Sequence, residues 1–297
     1  MSLPPDPMFT TPATVLLATD LSSRCDRALD RSLILAEQWN AHLVALTVIE
    51  PGDRFNPVTA AGQTPGPERA LRLAEQRLRA DLAVTDLPLS TRVAVGPVID
   101  AVIAACASDR ADLVVTGIAR NEAFSRVVLG STVDALARRS PVPLLMVHSR
   151  ARIPYRRVVV ATDFSASSRR ALQAAIAFFP HAAFTLLHAF GNPYPALAGM
   201  GTARARSDGY ELAQRDAADF LRTCELPDAI ADRIELELAH GDAGELIRLR
   251  SATHPSDLVV LGTERRRGLA GWLIGSVAQR ILEQAENDVL LVPAQPG

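Results

Sequence analysis

The chain repeats itself, and an ordered internal duplication constrains a fold more tightly than composition can. Val15-Leu-Leu-Ala-Thr-Asp20 returns as Val158-Val-Val-Ala-Thr-Asp163, each followed by a Ser-containing turn and then Arg-Ala-Leu, at 27–29 and 170–172. Asp112-Leu-Val-Val-Thr-Gly117 matches Asp257-Leu-Val-Val-Leu-Gly262, and Leu129-Gly-Ser131 matches Ile274-Gly-Ser276 at the same distance from the preceding glycine. The closing segments Pro141–Val147 and Asn287–Val292 also correspond. These matches define two units, 13–149 and 154–294, joined by a linker at 150–153 and flanked by a flexible N-terminal tail, 1–12, and a short tail, 295–297. Two copies make a duplicated domain and not a solenoid, and 297 residues suit two domains of ordinary size.

Within each unit strands alternate with helices. Val15–Ala18 and Val158–Ala161 are short unbroken apolar runs, the pattern of central parallel strands covered on both faces. Ser22 and Ser165 are placed to cap the helices that follow. Leu43–Ile49 and Phe184–Ala189 read as second strands, while Arg92–Val95 and Ile234–Leu238 alternate as a third strand near a sheet edge does. Pro51–Pro67 and Gly191–Gly209 are Gly/Pro-rich and longer than ordinary α/β connections, with helices expected from near Glu68 and Tyr210. Fourth strands, Leu113–Thr116 and Leu258–Leu261, run straight into glycine. The expected fold class is therefore α/β: two repeats of an open, mostly parallel five-stranded sheet sandwiched by helices.

Composition removes several chemistries. The 31 basic residues nearly balance the 33 acidic ones, for a net charge of −2, which argues against a duplex-binding surface and a nucleic-acid partner. Every basic residue is Arg, so a P-loop lysine and a Schiff-base lysine are both ruled out. Cys25, Cys106 and Cys224 form no ligand pattern and read as small buried hydrophobes of a reducing compartment. The histidines show no H-x-x-x-H spacing, and neither a G-x-S-x-G elbow nor a G-x-G-x-x-G after the first strand occurs. Without a basic N-terminal leader or an apolar run of about 18 residues, a cytoplasmic protein with no membrane partner is expected.

Three pairs of positions carry the chemistry. Gly130-Ser131 and Gly275-Ser276 sit just before helical patterns, where unpaired N–H groups and a hydroxyl make an anion cradle; the serines could equally serve as plain caps. Asp20 and Asp163, at the ends of the first strands, could accept from adenine or ribose donors or could satisfy their own turns. Arg120 and Arg265 each follow a strand-end glycine by three residues. They could hold a phosphate, fill its cavity or lie in solvent. Glu264-Arg-Arg-Arg267 adds an electropositive tip in the second unit.

On these residues the sequence resembles a tandem universal stress protein, one family domain per half. The family's nucleotide-binding motif is Gly, two residues, Gly, nine residues, Gly, then Ser or Thr. The first half has Gly117-Ile-Ala-Arg120, nine residues, then Gly130-Ser131-Thr132; the second has Gly262-Thr-Glu-Arg265, nine residues, then Gly275-Ser276-Val277. Arg replaces the second motif glycine in both halves. The resemblance implies an adenine nucleotide alpha hydrolase-like arrangement with strand order 3-2-1-4-5. It implies a site for ATP or another adenine nucleotide, with Mg2+ only alongside bound nucleotide. In the first half that site would use Asp20, Val48, Gly117, Arg120, Gly130, Ser131 and Thr132. In the second it would use Asp163, Ala189, Gly262, Arg265, Gly275, Ser276 and Val277. It further implies an intramolecular pseudo-dimer with Leu144–Val147 against Val289–Val292, open to homodimerisation and to an unknown regulatory protein partner. The function implied is cytoplasmic stress response with little or no hydrolysis. A protein-interaction module whose phosphate sites Arg120 and Arg265 block is one alternative, and a weak nucleotide hydrolase another.

Overall fold

The computed structural model describes residues 9–22, 25–50, 67–82, 87–118, 120–121, 126–127, 130–191, 203–224, 226–253, 258–264, 274–284 and 286–294. The chain divides into two compact units, Pro12–Pro154 and Tyr155–Gly297, the latter joined by Met1–Thr11.

In the first unit the elements follow as β1 (Thr14–Thr19), α1 (Asp26–Trp39), β2 (His42–Ile49), α2 (Pro67–Leu82), β3 (Leu89–Val95), α3 (Val98–Ser108) and β4 (Leu113–Gly117). Then come two short antiparallel strands, β5 (Arg120–Asn121) and β6 (Arg126–Val127), and finally α4 (Ser131–Arg139) and β7 (Leu144–Val147). β1 pairs in parallel with β2 and β4, β2 with β3, and β4 with β7. The order is thus 3-2-1-4-5, counting the sheet strands alone. The right-handed rule for parallel crossovers puts α1 and α2 on one face and α3 and α4 on the other, and α3 and α4 touch each other. That sandwich explains the uninterrupted apolar runs: Val15, Leu16 and Leu17 are buried on both sides of the pleat. Among the described residues β3 pairs with β2 alone, and its residues are half-exposed, as its alternating sequence implies. Asp112 Oδ2 accepts from the Ala13 and Thr14 N–H groups (2.8 and 3.0 Å), tying the entry of β4 to that of β1.

The second unit repeats the plan with β8 (Arg157–Ala161), α5 (Ala166–Phe178), β9 (Ala183–Phe190), α6 (Ala203–Thr223), α7 (Asp228–Ala231), β10 (Ile234–His240), α8 (Ala243–Thr253), β11 (Leu258–Gly262), α9 (Ser276–Gln284) and β12 (Asp288–Val292). Parallel pairs β10·β9, β9·β8, β8·β11 and β11·β12 restore the same order. Phe9 stands edge-on to Phe178 at 6.1 Å, Arg170 lies over its ring at 5.0 Å, and Thr11 Oγ1 donates to the Ala177 carbonyl at 3.2 Å.

Two local expectations need correction. Ser165 caps α5 by accepting from Ser168 N, but among the described residues Ser22 makes no cap to α1. α1 begins only at Asp26, after Cys25, and Ser22 contributes its carbonyl to Cys25 N instead. α6 starts at Ala203, seven residues before Tyr210, and runs through Gly209. Phe190 packs on that glycine so closely that a Cβ would lie 3.2 Å from the ring. The packing, with the strong helix formers Ala203, Arg204, Ala205 and Arg206 ahead of it, outweighs glycine's low propensity. Residues 51–66 and 192–202 lie outside the described residues.

The three cysteines are buried and unpaired. Burial pushes the Cys25 thiol up to about 11, with the Asp20 carboxylate adding to the effect. Burial likewise takes Cys106 and Cys224 to about 11. The thiolate is the reactive form, so native protein at neutral pH should react negligibly with an aromatic disulfide reagent, and all three thiols should react once it is unfolded. Fast labelling of native protein, followed by absorbance, would contradict this.

Candidate functional site

Each sheet changes direction beside its first strand: the chain moves outward through the second and third strands, then returns to the other side of the first. Open α/β sheets place ligands in the crevice outside the carboxyl ends of the strands at such a switch point. In the second unit a cavity of about 330 Å³ lies there, between the ends of β8 and β11 and the starts of α8 and α9.

Its entrance is shaped by a turn that occurs twice. Asp163 Oδ1 accepts from Ser165 N (3.0 Å) and Ser168 Oγ (3.0 Å), and Phe164 N donates to Thr162 Oγ1 at 2.9 Å. In the first unit Asp20 Oδ1 accepts from Ser22 N at 2.8 Å, and Leu21 N donates to Thr19 Oγ1 at 3.0 Å. Phe164 and Leu21 both adopt left-handed backbone, at φ 63° and 60°. That conformation costs a non-glycine residue about 1–2 kcal/mol, and the paired turn hydrogen bonds hold it. Both aspartates therefore satisfy their own turns. Burial alone would raise the Asp163 carboxyl, but the hydrogen bonds from Ser165 and Ser168 outweigh it and hold the pKa below the ordinary range. The residue stays ionised and keeps a solvent-exposed face. Both bonds fall on Oδ1, so among the described residues Oδ2 remains open to a ligand donor.

On the adjoining strand, His188 Nδ1 lies 2.8 Å from the Thr162 carbonyl, and its ring stacks on Phe164 at 4.3 Å. A carbonyl can only accept, so Nδ1 is the donor of this contact, and His188 lines the cavity. His188 has a structural role, as a lone histidine usually does, and it also forms part of the wall.

At the far end, α9 begins at Ser276, and Gly275 O accepts from Gln279 N at 2.9 Å. Ser276 is thus the first helical residue and not the cap. In the first unit Gly130 takes the cap position of α4, with no side-chain cap bond, and Ser131 and Thr132 open the helix. The glycines of one motif differ in kind. A Cβ on Gly275 would meet nothing within 4 Å, whereas one on Gly262 would lie 2.4 Å from the Ser167 carbonyl oxygen. Gly262 is demanded by α5 packing on β11; Gly275 leaves open backbone facing the cavity.

Asp163, Ala189, Gly262, Gly275, Ser276 and Val277, all expected from the sequence, line this single cavity. In the first unit Asp20 stands at the end of β1, Val48 in β2 and Gly117 at the end of β4, with Gly130, Ser131 and Thr132 at the start of α4. The Arg120 backbone lies in β5, but its side chain, like the whole of Arg265, falls outside the described residues. Sequence reasoning missed Asp242 and Arg280, which also line the cavity. Asp242 Oδ1 accepts from Gly244 N (3.0 Å) and Glu245 N (3.1 Å), capping α8, and Arg280 Nε lies 3.3 Å from Asp242 Oδ2. The Gly241-Asp242 pair at a strand end and an Arg one turn after Ser276 were signals present in the sequence.

Among the described residues there is no group of three metal-ligating side chains, and no helix is long and apolar enough to cross a membrane.

A model described as the universal stress protein family matches residues 13–148 and again 154–293. A universal stress protein of Mycobacterium tuberculosis is 28% identical over 207 residues, covering 62% of this chain and 62% of its own length. A crystal structure of a putative universal stress protein from Pseudomonas aeruginosa is 21% identical with a TM-score of 0.64, covering 95% of this chain and 93% of that one, which shows the shared fold. A universal stress protein crystallised in complex with cAMP is 31% identical over 47% of this chain and 98% of its own, with a TM-score of 0.32. With the family model matched once in each half, the chain belongs to the universal stress protein family, as a tandem member.

Proposed function

We propose that this chain is a cytoplasmic stress-response regulator that binds an adenine nucleotide in the second-half cavity and turns it over slowly or not at all. The observation that carries this reading is the placement of three ligand-competent groups around one cavity of about 330 Å³. Asp163 offers a carboxylate oxygen for ribose or base donors, Ala189 offers strand-end backbone, and the open start of α9 at Gly275-Ser276 offers N–H groups to phosphate. The volume falls at the lower end of the ~300–1,000 Å³ range of ligand sites. Mg2+ would arrive with the nucleotide's phosphates.

Little supports turnover. Ser168, the hydroxyl closest to a carboxylate here, is buried and already bonded to Asp163, Ser165 and Thr162. His188 uses Nδ1 to hold the Thr162 carbonyl.

Calorimetric titration of the full chain with ATP, ADP and AMP tests the reading, and heat is expected with at least one. Gly275→Ala should melt with the parent protein, because its Cβ enters open space. It should nonetheless weaken nucleotide binding by about tenfold, since the methyl would intrude where backbone must approach phosphate. A well-folded protein that binds none of the three leaves the interaction-module reading in its place.

A further inference from the structure

Among the described residues, the cavity lining carries three carboxylates, Asp163, Asp242 and Glu264, and one guanidinium, Arg280. An anion entering such a pocket needs a cation to receive it, because the carboxylates repel it. Arg280 lies one turn beyond Ser276, and side chains on a helix lean toward its N-terminus, so the guanidinium is carried back toward the Gly275-Ser276 end. Its contact with Asp242 is loose: Nε sits 3.3 Å from Oδ2, yet this buried nitrogen makes no well-aligned hydrogen bond. Asp242 does not depend on Arg280 for its place, because Oδ1 is held by the Gly244 and Glu245 N–H groups.

We propose that Arg280 is the side chain that contacts the ligand's phosphate, parked on Asp242 until the ligand arrives, and that it makes the second half the phosphate-binding half of the chain. This rests on the nucleotide reading above and assigns its anion-contacting residue and its location. A phosphate offers several acceptor oxygens to a forked donor, a better partner than one misaligned carboxylate oxygen. When Arg280 moves to it, Asp242 stays in place as the cap of α8. Among its described residues the first half shows no equivalent device. Matching Gly96 to Gly241 puts Pro97 where the second half has Asp242, and matching Gly130 to Gly275 puts Ala135 where it has Arg280. At the start of α3, Glu50 Oε1 accepts from Val98 N at 3.0 Å, so a carboxylate stands there with no guanidinium at the corresponding α4 position.

Titration of full-length protein with ATP and with adenosine, in the parent, Arg280→Ala, Arg280→Lys and Asp242→Asn, separates the outcomes. The parent should bind ATP at one site per chain. Arg280→Ala should lose about ten- to a hundredfold in ATP affinity, with adenosine affinity changed less than about twofold. Arg280→Lys should recover part of the loss, because it restores charge but not the fork. Asp242→Asn should tighten ATP binding severalfold: asparagine caps a helix as well as aspartate but does not compete for the guanidinium. Should Arg280→Ala be poorly folded, the Asp242→Asn result decides alone, and unchanged or weaker ATP binding there overturns the proposal. An unaltered ATP-to-adenosine ratio in a folded Arg280→Ala protein, or two equal sites per chain, also overturns it while the nucleotide site stands. A parent protein that binds no nucleotide removes both.

Discussion

Gly262→Ala should cost the second half about 1–3 kcal/mol and lower its melting temperature measurably, whereas Gly275→Ala should leave the melt unchanged. The added methyl would sit 2.4 Å from the Ser167 carbonyl oxygen and 2.6 Å from the Ser167 carbonyl carbon. Both atoms are backbone, so no rotamer change relieves the contact; the first turn of α5 must move. That turn carries the Ser165 cap and the Ser168 hydroxyl that hold Asp163, so the displacement should also loosen the cavity entrance. Differential scanning calorimetry on the two alanine variants checks the contrast. Equal melting of Gly262→Ala and the parent would mean that α5 and β11 do not approach this closely in solution.

Tyr155→Phe should destabilise the second unit by about 1–3 kcal/mol, although it removes only one oxygen. Tyr155 Oη donates to Asp288 Oδ2 at 2.6 Å, and Asp288 is fully buried at the start of β12. The lost donor is not replaced by water, because the carboxyl group is shielded from solvent, and burying a polar group with a bond unmade is expensive. The ring itself stays packed edge-on to Phe179 at 5.4 Å, so phenylalanine preserves the apolar contact and isolates the hydroxyl. Chemical denaturation with an unchanged m-value and a lower midpoint is the expected signature. A midpoint identical to the parent's would show that Asp288 needs no donor from Tyr155.

Much of the site's outline was legible without coordinates, because the relevant groups lie at strand ends and helix starts, which have local signatures. Thr-Asp at the end of an apolar run marked where each first strand meets its loop, and Gly-Ser before a helical pattern marked both helix starts; the left-handed backbone at Leu21 and Phe164 had no such mark. The role of Asp20 and Asp163 was less legible. Either reading fitted the letters, and only the 2.8 Å and 3.0 Å bonds to Ser22 and Ser165 place their Oδ1 atoms in the turn. Ser22 and Ser165 illustrate the same limit. The two serines occupy matching positions, yet one caps a helix and the other does not, because α1 starts after Cys25 while α5 starts directly after Ser165. The start of α6 was hidden by Gly209, whose low helix propensity is offset by the Phe190 ring packed on it.

Periodicity, duplication and strand-end punctuation by themselves determined two α/β domains and the strand ends outside which an open sheet leaves its crevice. These are local properties, set by which residues fall on which face and where the backbone must stop. The partners of Asp288, Asp242 and Gly262 were decided only by tertiary structure. Tyr155 lies 133 positions from Asp288. Arg280 meets Asp242 across two helix starts, and Ser167 of α5 packs onto Gly262 at the end of β11. No local pattern specifies which distant groups share a low-dielectric space, and in that space a single hydroxyl, guanidinium or methyl carries its largest energetic weight.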